Sequence, residues 1–154
     1  MAGTVKAVAN DEALIGSTML PLDRPERFYV VPLTTIQEYF VVSPGYFVEL
    51  QATREHSQEP WTLEEIVQQP LITLPRDSVS FAAYSSYFRQ YGLHIEPRYE
   101  VHQEDLGFDL AGCGLGIFIG FEPALFGHPK LKILTCRSKL PVRELVLFCR
   151  KERA

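Results

Sequence analysis

The sequence predicts an α/β fold, and three observations carry that reading. Apolar runs rich in β-branched and aromatic residues recur at 28–33, 39–42, 71–74 and 117–121, the composition of buried strands. Helical segments with recognisable starts and stops lie between most of them. The two kinds of segment alternate along the chain, the pattern of βαβ units and a mostly parallel sheet. With 154 residues, the chain suits one domain or two small lobes and can bury about 70% of its unfolded surface. Hydrophobic residues at 46% and charged residues at 22% are ordinary for a soluble globular domain.

Taken in order, "DEALIG" reads as a short strand delivering Gly16 and Ser17 into a polar loop. "PLDRPERF" is a proline-punctuated connection. Residues 28–33 and 39–42 are strands, the second stopped by a Ser43-Pro44-Gly45 turn. In "WTLEEIVQQP", Thr62 caps a short helix and Glu65 completes a capping box, with Trp61 as a staple before it; Pro70 ends the helix. "LITLP" is a short buried strand. "SVSFAAYSSYFRQYG" is the strongest helix: Ser78 or Ser80 caps it, and Phe81, Tyr84, Phe88 and Tyr91 form one stripe. Gly92 occupies its left-handed C-terminal position. "HIEPRYEVH" alternates, with Ile95, Pro97, Tyr99 and Val101 on one side, and Pro97 points to an edge strand or an early strand position. "QEDLGFDLAGCG" is a helix whose first turn holds Glu104 and Asp105, where the dipole favours negative charge. "LKILTC" and "VRELVLFCR" are further strands.

The glycines of "AGCGLGIFIG" invite a nucleotide-binding reading, which the spacing rejects. Gly114 and Gly116 give G-x-G, but Ile119 stands where the third glycine belongs. A helix precedes these glycines and a strand follows, the reverse of a phosphate loop. The stretch therefore reads as a helix end running into a central strand. A net charge of −4 argues against a nucleic-acid-binding face. Cys113, Cys136 and Cys149 lack C-x-x-C spacing and read as buried, reduced thiols. His56, His94 and His128 are scattered and form no metal pattern. No secretory signal or membrane span is present in the sequence, which places the chain in the cytoplasm.

"WTLEEIVQQPLITLP", "YGLHIEPRYEVHQED" and "AGCGLGIFIG" follow one another as they do in LysR-type transcriptional regulators. "DEALIG" resembles that family's "LDLAIG" strand and "FVVSP" its strand ending in "SP". Together they resemble the family's effector-binding domain over residues 11–150. Phe121 stands where the family has proline, and Tyr46-Phe47 where it has His-Pro. The resemblance implies a fold like a type 2 periplasmic binding protein: two α/β lobes joined by two crossing strands, with a small molecule in the cleft. Here it implies one complete lobe and one partial lobe. Residues 1–40 form the remnant of the first lobe and a crossover, 41–127 the second lobe, and 128–154 the return crossover and last first-lobe strand. The family's helix-turn-helix, linker helix and first sixty or so effector-domain residues have no counterpart, so the resemblance is to a truncated regulator.

The implied role is effector sensing without catalysis, metal or cofactor. The implied partners are a small anionic metabolite and a second copy of the chain, with DNA bound only by an intact regulator. Loops beyond the carboxyl ends of strands are where such sheets bind ligands. The expected effector contacts are Thr73, Pro75, Arg76 and Ser78 after "LIT", Gly16 and Ser17 after "ALI", and Val101 and His102 after "RYEV". Ser78 sits at a helix start suited to a carboxylate, and His102 suits an anion or a pH response. Two other readings stay open: a dimerisation remnant that binds nothing, and a thiol hydrolase using Cys113.

Overall fold

The structure, a computed structural model, describes residues 16–19, 25–55 and 59–151. The strand expected over residues 13–15 and His56 lie outside them. Two sheets organise the chain. The smaller is wholly antiparallel, with β8 (Arg143–Arg150) between β1 (Gly16–Met19) and β2 (Phe28–Ile36). The larger has the order β5-β4-β6-β3-β7 and contains β3 (Tyr39–Val42), β4 (Leu71–Thr73), β5 (Tyr99–Glu100), β6 (Ile117–Gly120) and β7 (Lys132–Ile133).

The larger sheet is mixed, which corrects the expectation of a mostly parallel one. β4 is parallel to β5 and β6, but β3 is antiparallel to β6 and β7. The cause is local. Only Gln37 and Glu38 separate β2 from β3, so β3 keeps the direction of that crossover and is not turned round by a helix.

Four α-helices are described: α1 (Pro44–Ala52), α2 (Leu63–Val67), α3 (Val79–Gln90) and α4 (Glu104–Gly112). The last three match the sequence reading. α1 does not: the Ser-Pro-Gly turn is a helix start. The Ser43 hydroxyl accepts from the Tyr46 N–H at 3.1 Å, and Pro44 takes a first-turn position that has no use for an N–H. The "HIEPRYEVH" strand is shorter than its alternation suggests, because only Tyr99–Glu100 is in ladder geometry. The alternation itself holds. Ile95 and Val101 are buried, Glu96, Arg98, Glu100 and His102 are exposed, and β5 lies at one edge of the sheet.

The larger sheet is packed on both faces, so its central strand β6 is buried at every residue. Phe40, Val42, Ile117 and Ile119 pack on Ile66, Tyr84 and Phe88 of α2 and α3. Val41, Ile72 and Phe118 pack on Phe108 and Ala111 of α4. Gly107 sets the approach of α4, since a Cβ there would stand 2.3 Å from the Phe118 ring. Of the aromatic stripe, Phe81, Tyr84 and Phe88 are buried, while Tyr91 is half exposed beside Tyr87.

Candidate effector site

The carboxyl ends of β4, β5 and β6 share one edge of the larger sheet, and the register that sets Tyr39 opposite Gly120 brings the start of β3 to the same edge. α3 and α4 begin there because each follows its strand after a short loop. Both crossovers to the smaller sheet also meet this edge. Glu38 ends the link from β2, and Arg143 opens β8.

These elements bring a buried polar cluster together. The Arg143 guanidinium donates through one nitrogen to Glu38 Oε1 at 2.5 Å and to Ser80 Oγ, in the first turn of α3, at 3.1 Å. Glu38 is 4% exposed and Arg143 9%, so this bond ties both crossovers to α3 in a low-dielectric setting. Glu104, the first residue of α4, accepts from the Phe121 N–H through Oε2 at 3.3 Å. Three buried atoms of the cluster have no protein partner: Glu38 Oε2, Glu104 Oε1 and the second terminal nitrogen of Arg143. Burial pushes the Glu38 carboxyl up to about 7 against the opposing pull of Arg143. Burial pushes Glu104 up to about 8, opposed by the Phe121 N–H and helped by the charge of Glu38. The Tyr84 phenol, which accepts from the Leu74 N–H, is also raised, mainly by burial. Gly120 leaves room for this arrangement, because a Cβ there would lie 2.8 Å from Glu104 Oε2.

The residues expected at the site divide by position. Thr73, Pro75, Arg76, Ser78, Val101 and His102 all lie on this edge, but several are already engaged. Thr73 is fully buried and donates to the Leu74 carbonyl at 2.8 Å. The Ser78 hydroxyl caps α3 by accepting from the Phe81 N–H. Arg76 donates to Glu96 at 2.7 Å, and its own N–H donates to Glu100 at 2.9 Å, so its charge is matched on the protein. Val101 is buried and bonds the Thr73 carbonyl, while His102 is exposed. Gly16 and Ser17 are not in a loop after a strand; they lie within β1, paired with Phe148 and Leu147.

Glu38, Ser80, Glu104 and Arg143 were not among the expected contacts. The signal available was a charged residue at the rim of an apolar strand, in "QEYFVV" and "VRELVL". Glu38 also walls a separate cavity of about 280 Å3 between the crossovers, shared with Phe40, Leu134, Lys139 and Leu140.

The family model described as "LysR substrate binding domain" matches residues 1–154. The chain belongs to the LysR substrate-binding family. Solved members of that fold align over nearly all of it. The cofactor-binding domain of the Cbl transcriptional regulator is 20% identical, with a TM-score of 0.74 over 97% of this chain and 63% of that one. The CcmR regulatory domain of Synechocystis PCC6803, solved in complex with 2-PG, is 12% identical, with a TM-score of 0.76 over 95% and 68%. The effector-binding domain of QuiR, solved in complex with shikimate, is 15% identical, with a TM-score of 0.75 over 97% and 68%. This LysR-family chain thus spans about two thirds of the length of those domains. No curated protein matches the sequence.

The thiols differ from their sequence reading. Cys113 is exposed at the C-terminal end of α4, and Cys136 and Cys149 are half buried. Nine helical residues, about 13 Å, separate Cys113 from the edge where Glu104 lies. Among the described residues no group of three His, Cys, Asp or Glu side chains is placed to hold a metal ion. No helix among them is long and apolar enough to cross a membrane.

Proposed function

We propose that this chain is the effector-sensing part of a LysR-type transcriptional regulator and performs no chemistry of its own. The observation that carries this is the Glu38–Arg143–Ser80 cluster, where two crossovers and the first turn of α3 meet at the carboxyl edge of the larger sheet. A ligand seated there touches both sheets at once, so its binding biases how they sit relative to each other, a population shift. We assign residues 1–40 and 128–154 to one lobe with its crossovers, and 41–127 to the other. The effector is a small molecule, and an anionic end of it has a place at the first turn of α3, beside Ser78 and Ser80. The chain acts in the cytoplasm as a dimer or larger species, and DNA contact belongs to the intact regulator.

Thermal shift of the purified chain against a library of small organic acids, amino acids and sugar phosphates tests this reading. At least one compound raises Tm by several degrees through preferential binding to the folded state, and Ser80→Tyr, which fills the first turn of α3, abolishes the shift. A second reading, a dimerisation remnant that binds nothing, draws on the exposed apolar face of the smaller sheet. It predicts a flat response to the whole library.

A further inference from the structure

The three unpartnered atoms of the buried cluster describe the group that would complete it. Two are carboxyl oxygens, Glu38 Oε2 and Glu104 Oε1, and one is a guanidinium nitrogen of Arg143. Buried polar atoms are paired almost without exception, and each left unpaired keeps its desolvation cost. The cluster is therefore short of two donors and one acceptor. With both carboxyls ionised it is also short of positive charge, two carboxylates facing one guanidinium. Arg76, on the same edge, makes up none of that shortage because Glu96 and Glu100 already hold it.

An anion-accepting element lies next to this acidic one. α3 is twelve residues long, and its first-turn N–H groups have no partner within the helix. Ser78 takes the N–H of Phe81, and Ser80 holds Arg143 against the same turn. The edge thus places a donor-poor pair of carboxyls beside a donor-rich helix start with a guanidinium between them.

We propose that the effector is an amino-acid-like zwitterion, its ammonium held by Glu38 and Glu104 and its carboxylate by Arg143 and the first turn of α3. This rests on the sensor reading above and narrows it to one ligand class. An ammonium offers three donors and one positive charge, which matches both shortages; a hydroxyl offers one donor and no charge. Burial pushes Glu38 up to about 7 and Glu104 up to about 8, with the facing groups being Arg143, Tyr84 and Asp105. Ammonium binding favours the ionised form of both carboxyls, so the complex releases protons near neutral pH.

Matched pairs that differ only in –NH3+ against –OH isolate the claim: L-alanine with L-lactate, L-serine with glycerate, and L-glutamate with 2-hydroxyglutarate. Calorimetry and thermal shift on the full 154-residue chain at pH 7.5 are expected to show the amino member of at least one pair binding at least tenfold tighter than its hydroxy counterpart. Titration of that amino acid in phosphate and in Tris shows proton release. Glu104→Gln weakens it at least tenfold while keeping the wild-type fold by circular dichroism. Equal binding by the hydroxy acid, no proton release, or unchanged affinity in the well-folded Glu104→Gln chain overturns the assignment. If malonate or succinate stabilises the chain and no amino acid does, the assignment falls and the sensor reading stands. If no amino acid, no diacid and no compound of the wider library binds, both fall.

Discussion

Gly116 holds its place because of one atom it lacks. A Cβ there would stand 2.3 Å from the Pro70 carbonyl oxygen, which also accepts from the Ile117 N–H at 2.9 Å. Gly116→Val therefore pushes β6 away from the end of α2. It is expected to lower stability by about 2–3 kcal/mol, as overpacking does, measured by urea denaturation. Gly114, at φ 77°, does the conformational work of the helix end, so the glycine-rich stretch is explained without a phosphate. At the same scale, Glu38 and Glu104 set a pH response. Their carboxyls titrate higher in the folded chain than unfolded, so the folded state binds more protons between about pH 4.5 and 8 and stability falls across that window as pH rises. Glu96 opposes this, being lowered by Arg76, but it is exposed and its effect is screened. Tm is expected to be several degrees higher at pH 5.5 than at pH 8.5, and Glu104→Gln flattens the difference by stabilising the chain at the upper end.

At the scale of the element, caps decide where helices begin. The Ser78 hydroxyl serves the Phe81 N–H and borders the proposed site, so Ser78→Ala is expected to cost about 1 kcal/mol in chemical denaturation. If its role is the cap alone, effector affinity changes less than twofold. Elements with local signals were legible in the sequence. The Thr62–Glu65 capping box is present with both bonds, at 3.1 and 3.2 Å, and the Gly92 and Gly114 helix ends have the expected positive φ. α1 was not legible, because Ser-Pro-Gly serves a turn and a helix start equally well and "YFVELQA" has no clean periodicity to decide between them. The direction of β3 was not legible either, since it depends on which sheet its neighbours come from. The site was half legible. Loops at strand ends follow from the fold class, but Glu38 and Arg143 meet across 105 residues of sequence, and nothing local marks either as buried.

At the scale of the whole molecule, the two sheets differ in how they are finished. The larger is covered on both faces. The smaller buries Phe28, Val146 and Phe148 on one face, with Phe28 and Phe148 edge to face at 5.2 Å. Its register puts Tyr29 opposite Cys149 and Val31 opposite Leu147 on the other face, where Tyr29 is 50% exposed and Val31 57%. Leu33 and Val142 add to the exposed apolar surface. β2 is also the terminal strand of its sheet, nine residues long with one side unpaired among the described residues. Pro32 and the irregularity between Pro32 and Thr34 interrupt that edge, as edge-protecting features do, but leave residues 28–31 regular. An apolar face joined to an open edge is a template for association. The chain is therefore expected to form a dimer or larger species through β2 and β8 at micromolar concentration. Val31→Lys and Leu147→Lys, which set two charges opposite each other on that face, shift it toward monomer, and Tm falls by as much as association contributes to stability. Multi-angle light scattering reads the outcome directly. A wild-type monomer of 17.5 kDa at 100 micromolar, with β8 amides protected from hydrogen exchange, would show that the smaller sheet is stable with this face in water and that association plays no part in its stability.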